Sequence, residues 1–237
     1  MFDMPSKQEL KYSPSDWLKV AAEDSSMDQD ARDLAIQLQS LALPGGADQR
    51  CRYILNVGHD GISLQDESRP QTKPFFLDIK KMNRRSVGRD LLAKSVGRRC
   101  RNIVDATAGF GRDAFHLFHL GKHVTALERS PVIAIMLSNA INRLIVPSRT
   151  ASLKMFCDDA RLWLSECERP DVIYLDPMFP EQQDRSALAA NELRMLRSLV
   201  GNDEDSSDLL LIVKSIALQR VVVKRPAWAS HLGDAPD

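Results

Sequence analysis

The chain has 237 residues, of which 43% are hydrophobic and 27% charged, with 32 basic side chains balanced by 32 acidic ones. That composition excludes a disordered or fibrous chain, and the lack of any long apolar run excludes a helical membrane protein, so no membrane partner is expected. A formal net charge of zero argues against a general polyanion binder, although the charge is unevenly spread along the chain.

Residues 1–44 are polar and discontinuous. The opening Met1 to Lys7 lacks the basic start, apolar stretch and cleavage site of a secretory signal, so the cytoplasm is the expected compartment. Ala31, Leu34, Ala35, Leu38 and Leu41 recur at helical spacing up to Pro44-Gly45-Gly46, which predicts one helix within a loose arm. Short alternating runs follow. Tyr53 to Val57 and Ile62 to Leu64, separated by Gly58-His59-Asp60-Gly61, predict a hairpin, and Phe75-Phe76-Leu77 a further strand. A small N-terminal α+β subdomain is therefore expected over residues 1–78.

Residues 80–101 carry Lys80, Lys81, Arg84, Arg85, Arg89, Lys94, Arg98, Arg99 and Arg101 against a single acid, Asp90. This stretch is predicted to be a basic helix connecting two domains. The plainer reading is a solvated helix face leading into the next domain, and the alternative is a phosphate-contacting surface.

Beyond Arg101, strand and helix alternate regularly. Strands are predicted at 103–107, 123–128, 153–157, 171–176 and 221–223, the last of them buried. Helices are predicted at 113–120, 131–144, 159–166, 192–200 and 208–218, with Ser130 as an N-cap before Pro131 and Gly121 as a stop. The pattern is that of an α/β fold, a doubly wound Rossmann-like parallel sheet covering residues 79–237.

In such sheets ligands sit beyond the carboxyl ends of the strands, and four motifs fall there. Asp105-Ala106-Thr107-Ala108-Gly109-Phe110-Gly111-Arg112-Asp113 runs from a strand through a glycine turn into a helix, where Gly109 and Gly111 permit close backbone approach to a ligand. Glu128, at the end of the second strand, can accept both hydroxyls of a ribose, a spacing that suits NAD and S-adenosylmethionine alike. The third glycine of a dinucleotide turn is replaced by Ala114, which favours a ligand without phosphates. Asp158-Asp159-Ala160 follows the third strand and can meet an adenine edge; Asp158 can equally cap the next helix.

The fourth motif, Tyr174-Leu175-Asp176-Pro177-Met178-Phe179-Pro180, is the most informative. An amine conjugated to a purine is a poor nucleophile because its lone pair is delocalised into the ring. Acceptors around its N–H groups, here the Asp176 carboxylate and carbonyls fixed by Pro177, would favour pyramidalisation and aim the lone pair at a sulfonium methyl. Phe179 can stack on a flipped-out base. Lys224 and Arg225, delivered by Arg220 to Pro226 to the same rim, can contact RNA phosphate or cap the sheet. Neither the scattered Cys51, Cys100, Cys157 and Cys167 nor His116, His119 and His123 show ligand spacing, so no metal is expected.

These strings resemble the bacterial 16S ribosomal RNA guanine-N2 methyltransferase family that acts near the 3′ end of the small-subunit RNA. The likeness covers roughly residues 50–226, and the Met-Phe-Pro form of the Asp-Pro motif and the Val-Val-Val-Lys-Arg-Pro run are narrower than the general methyltransferase pattern. It implies a class I methyltransferase sheet, S-adenosylmethionine as cofactor, and 16S rRNA in the small subunit as partner. The family's cofactor residues fall here on Arg112, Asp113, Glu128, Arg129, Asp159, Ala160 and Asp176, to which the turn residues Asp105, Gly109 and Gly111 and the neighbouring Asp158 are added. Where the family often has small hydroxyl residues, this chain has Asp159 and Ala160. Asp176, Pro177 and Phe179 form the expected catalytic set, and Lys80, Lys81, Arg84, Arg85, Arg89, Lys224 and Arg225 the expected RNA contacts. A methyltransferase sheet normally finishes with an antiparallel hairpin, for which the 14 residues after Val223 are too few, so an abbreviated or continued sheet is expected.

Other readings keep part of this chemistry. An adenine-N6 or protein amide methyltransferase would more often show Pro-Pro and an aromatic after the acid, where Met178 follows Pro177 here. A non-catalytic rRNA-binding assembly factor would bind S-adenosylmethionine weakly or not at all. A nicotinamide oxidoreductase would need the third glycine and a proton-relay Tyr/Lys or His/Asp pair, both of which this chain lacks.

Overall fold

The computed structural model describes residues 12–41, 53–78, 90–144, 151–178, 187–200, 205–226, 229 and 232–233. The second half of the chain builds a parallel sheet of β6 (Asn102–Asp105), β7 (His123–Glu128), β8 (Ser152–Cys157), β9 (Val172–Leu175) and β10 (Arg220–Val223), in the order β10-β9-β6-β7-β8. The chain leaves β6 in one direction for β7 and β8, then returns to the other side for β9 and β10. The switch point lies between β6 and β9, and a crevice opens there beyond the strand ends.

Alternation along the strands sorts the two faces. Ile103, Val124, Ala126, Val172 and Tyr174 pack on one side with Phe115 of α3 (Arg112–His119) and with Ile133 and Leu137 of α4 (Pro131–Asn142). Val104, Leu127, Ile173 and Leu175 pack on the other with Leu164 of α5 (Ala160–Glu166) and with Leu209, Leu210 and Val213 of α7 (Ser206–Ile216). The sheet is therefore doubly wound, as the alternating sequence predicts. Each fully buried Leu, Ile or Phe contributes about 1.5–3 kcal/mol.

A second sheet, ordered β1-β2-β3-β4-β5, comprises Tyr12–Ser15, Leu18–Ala22, Tyr53–Gly58, Gly61–Asp66 and Phe75–Phe76. The hairpin of β3 and β4 falls where predicted, and α1 (Asp28–Ser40) takes up the predicted helix. The predicted loose arm is partly wrong. Leu18 and Val20 are fully buried and β2 pairs in parallel with β3, so a long-range partner makes a strand of a run whose local pattern is weak. Pro14 lies in β1, which among the described residues pairs only with β2, and edge strands tolerate proline.

The two sheets share one core. The Asn139 side chain of α4 accepts the Ile62 N–H at 3.1 Å, and Arg143 stacks on Phe76 at 4.4 Å while donating to the Leu77 carbonyl at 3.1 Å. Arg194 of α6 (Ala187–Val200) reaches Asp66 at 2.6 Å, and Tyr53 bonds Ser198 of the same helix.

Two further expectations change. Of the predicted basic helix, residues 80–89 lie outside those described; α2 (Leu91–Val96) is helical and stops at Gly97, whose φ of 84° suits glycine. Residues 97–101 then form a connection strapped by the buried Lys122, whose ammonium donates to the carbonyls of Gly97, Arg98 and Cys100. β10, predicted as buried, is an edge strand: Arg220 is exposed and Val221 to Val223 are half-buried. Among the described residues, no helix is long and apolar enough to cross a membrane.

Candidate active site

The crevice is organised by the turn after β6. Gly109 (φ 52°) and Gly111 (φ 76°) take conformations that side-chain-bearing residues resist, and Gly111 serves as the N-cap of α3. A side chain on Gly111 would place its Cβ 2.4 Å from Leu137. The turn is pinned from β7: the Gly109 N–H donates to Glu128 Oε2 at 2.9 Å and the Ser130 N–H to Oε1 at 2.7 Å. With both oxygens oriented by backbone donors and the residue only 5% exposed, the Glu128 carboxylate is a preset acceptor.

The pocket floor is formed by Ala106, Thr107, Gly109, Leu127 and Glu128, and its walls by Asp158 to Arg161, Leu196, Val200, Asp205, Ser206 and Leu209. Asp176, Pro177 and Met178 close it. Among the described residues its lining holds five carboxylates, Glu128, Asp158, Asp159, Asp176 and Asp205, and two guanidiniums, Arg129 and Arg161. An apolar floor with an acid excess suits a nucleoside carrying a sulfonium cation and disfavours a pyrophosphate. The residues present therefore fit S-adenosylmethionine.

One wall is a charge network that spacing did not reveal. Arg129 reaches Asp205 at 3.2 Å, and Arg161 reaches Asp205 at 3.2 Å and Asp159 at 2.5 Å. Asp159 also caps α5 by accepting the Arg161 N–H at 2.9 Å, while Asp158 accepts the Asp159 N–H at 2.8 Å. Capping thus falls to Asp159, where Asp158 was the candidate. The hydrogen bonds from Arg161 hold the Asp159 carboxyl below its usual range despite partial burial.

The opposite side carries the reactive motif. The Asp176 N–H donates to Thr107 Oγ1 at 2.7 Å, tying the end of β9 to the glycine turn. Lys224, just past β10, donates to Asp176 Oδ2 at 2.5 Å and to Asp113 Oδ2 at 2.8 Å, and the Tyr174 hydroxyl donates to the same Asp113 oxygen at 2.5 Å. Burial, and next the neighbouring charge of Asp113, push the Asp105 carboxyl well above its usual range. Burial and then the charges of Asp176, Asp113 and Asp105 also raise the Tyr174 phenol, so it stays a donor. Burial opposes the Lys224 ammonium, yet Asp176 and Asp113 together raise it above its ordinary value.

Of the predicted site residues, Gly109, Glu128, Arg129, Asp158, Asp159, Ala160, Asp176 and Pro177 lie on this pocket. Asp105 and Asp113 lie beneath it, both nearly buried, Gly111 shapes the turn, and Arg112 pairs with Glu192. Phe179 lies outside the described residues, as do Lys80, Lys81, Arg84, Arg85 and Arg89. Lys224, expected as an RNA contact, has its ammonium engaged by two carboxylates, and Arg225 is half-buried. Sequence reasoning missed Thr107, Arg161 and Asp205. Thr107 stood inside the quoted turn, but nothing local marked its hydroxyl as the anchor of Asp176.

The profile of the SAM_MT family, described as SAM-dependent methyltransferase, matches residues 37–237. Ribosomal RNA small subunit methyltransferase J of Thioalkalivibrio sulfidiphilus is 38% identical over 231 residues, covering 91% of this chain and 89% of that protein. Its namesake from Yersinia enterocolitica is 38% identical over 201 residues, covering 78% and 79%. The crystal structure of the SAM-dependent methyltransferase NGO1261 from Neisseria gonorrhoeae superposes with a TM-score of 0.61 at 30% identity, covering 83% of this chain and 79% of that one.

Proposed function

The chain belongs to the SAM-dependent methyltransferases of the SAM_MT family, and from that premise we propose that it methylates the exocyclic N2 amine of a guanosine in small-subunit ribosomal RNA. The observation that carries the reading is the placement of Asp176 and Pro177 on the wall of an acid-rich pocket at the sheet's switch point, with the Asp176 carboxylate fixed. The ribosomal substrate is supported by the relatives named above and by the narrow Asp-Pro-Met-Phe-Pro string.

Bound S-adenosylmethionine supplies an electrophilic methyl on a sulfonium. Glu128 would hold the ribose, and the wall around Asp159 and Ala160 the adenine. Asp176 would accept an N–H of the guanine amine and aim its lone pair along the line of attack. Transfer of that methyl would leave the electron pair of the broken S–CH3 bond on sulfur and the amine nitrogen cationic, and Asp176 would take up the proton that the nitrogen sheds. Lys80, Lys81, Arg84, Arg85 and Arg89 remain proposed phosphate contacts on the strength of their charge alone.

The test is transfer of labelled methyl to naked 16S rRNA and to assembled small subunits, followed by nucleoside mass spectrometry, with Asp176→Ala as control. Label in N2-methylguanosine that disappears in the variant is expected. Label in N6-methyladenosine would overturn the guanine assignment, and no label in either RNA, with S-adenosylmethionine still bound, would overturn the rRNA substrate.

A further inference from the structure

We infer that Lys224 is a positioning residue of the methyl transfer, its ammonium bridging Asp113 and Asp176 so that the Asp176 carboxylate is held in place at the pocket lining. The inference rests on the reading above, in which Asp176 receives the target amine.

A half-exposed lysine at a sheet rim ordinarily keeps its head in water, because a surface ion pair contributes little and costs side-chain entropy. Lys224 does otherwise. Its backbone N–H donates to the Leu175 carbonyl at 2.8 Å, which extends the pairing of β10 with β9 by one residue and sets the side chain beside Asp176. The ammonium then contacts one carboxylate from α3 and one from the loop after β9. The first, Asp113, has a side chain only 8% exposed and is itself fixed by the Tyr174 hydroxyl, so Lys224 is anchored on the core side by a group with little freedom.

Asp176 is consequently held at both ends. Thr107 fixes its backbone and Lys224 its carboxylate, on the wall of the pocket. Fixed orientation matters here because an acceptor that must first turn towards an amine cannot favour pyramidalisation before the methyl arrives. The charge matters as well. The ammonium contacts Asp113 of α3 and Asp176 after β9, and its charge also bears on Asp105 of β6. Burial already pushes Asp105 well above its usual range with Lys224 present, and without the ammonium the charge of Asp113 would bear on Asp176 unopposed.

The experiment compares Lys224→Met and Lys224→Arg with the native enzyme by calorimetric S-adenosylmethionine binding, kcat and KM for small subunits, the pH dependence of kcat, and thermal melting. Lys224→Met is expected to lower kcat about 100-fold while cofactor affinity changes less than about threefold, since the ammonium contacts Asp176 and not the ribose or adenine walls. The acid limb of its kcat profile should move to higher pH by about one unit or more, because loss of the cation disfavours the carboxylate. Lys224→Arg, which retains the charge, should restore a large part of kcat and the native acid limb. Native kcat with an unmoved pH profile in Lys224→Met would overturn the inference. So would a joint loss of melting temperature, cofactor binding and activity that arginine does not rescue, which would assign Lys224 a structural role alone. Asp176→Ala, run alongside, separates the two layers: an active Asp176→Ala enzyme sinks the underlying reading, whereas an inactive one beside an active Lys224→Met enzyme sinks only this inference.

Discussion

Glu128 Oε2 accepts the Gly109 N–H at 2.9 Å, so the acid proposed to hold the ribose also clamps the glycine turn after β6. Its other oxygen accepts the Ser130 N–H at 2.7 Å, which orders the start of α4. An amide can accept only one of these bonds and would oppose the other with its own N–H. Glu128→Gln is expected to lose about 1–3 kcal/mol of stability, seen as a fall in melting temperature of about 2–10 °C for a domain this size. Cofactor affinity should fall about 10- to 100-fold in the same variant, measured by calorimetry. A variant that melts and binds as the native protein would show that the clamp is dispensable.

The two turn glycines differ in what a methyl group would meet. At Gly109 the added Cβ would lie 3.4 Å from Leu196, ordinary contact at a pocket-lining position. At Gly111 it would lie 2.4 Å from a Leu137 methyl in the core. Both positions also carry a left-handed backbone that costs alanine about 1–2 kcal/mol. Gly111→Ala should therefore lose about 2–5 kcal/mol in urea unfolding, the backbone cost plus overpacking of about 1–3. Gly109→Ala should lose about 1–2 kcal/mol, with a weaker cofactor affinity. The reverse order of stabilities would contradict this packing account.

What the sequence discloses and what it conceals divide along sequence separation. The parallel sheet was readable because each strand and helix after Arg101 carries its own period. Gly109, Glu128 and Asp176 were readable because each stands at the end of such a strand. β2 was not, because Leu18 and Val20 become a strand only through pairing with β3 across α1. Arg161 and Asp205 meet from different helices and show no spacing that links them. Lys224 stood out as a cation at a rim, where phosphate contact is a natural reading. Only the register of β10 on β9 reveals that two carboxylates already hold it.

Lys122 is 8% exposed and gives its ammonium to the carbonyls of Gly97, Arg98 and Cys100, the last at 2.6 Å. Lys122→Met keeps most of the aliphatic packing but removes every one of these donors. The variant is expected to unfold about 1–3 kcal/mol more easily, because the buried Cys100 carbonyl and the part-buried carbonyls of Gly97 and Arg98 lose this donor. Exchange protection of the 97–101 backbone should fall with it, while cofactor affinity, set at the other end of the strands, stays within about twofold. A loss of cofactor binding larger than the loss of stability would break this separation.

Asp66 links the small sheet to α6 and makes that contact sensitive to acid. The carboxylate is 1% exposed and accepts Arg194 Nη2 at 2.6 Å, the Ser68 hydroxyl at 2.5 Å and the Ser68 N–H at 2.9 Å. Burial works against its charge, but Ser68 and Arg194 outweigh burial and hold the carboxyl below its ordinary value of 3.8. A carboxyl depressed in the folded state contributes stability that is present above the unfolded value and lost as pH falls through the folded one. Asp66→Asn should therefore be less stable than the native protein by about 1.5–3 kcal/mol at pH 7, the worth of charged hydrogen bonds. That gap should hold to about pH 5 and narrow below pH 4, where the native carboxylate takes up a proton and comes to resemble the amide. Urea unfolding of both proteins at pH 7, 5, 4 and 3 measures the difference directly, and the other carboxyls, common to both chains, cancel from it. A gap that stays constant or widens on acidification would mean that the Arg194 contact does not depend on the charge of Asp66.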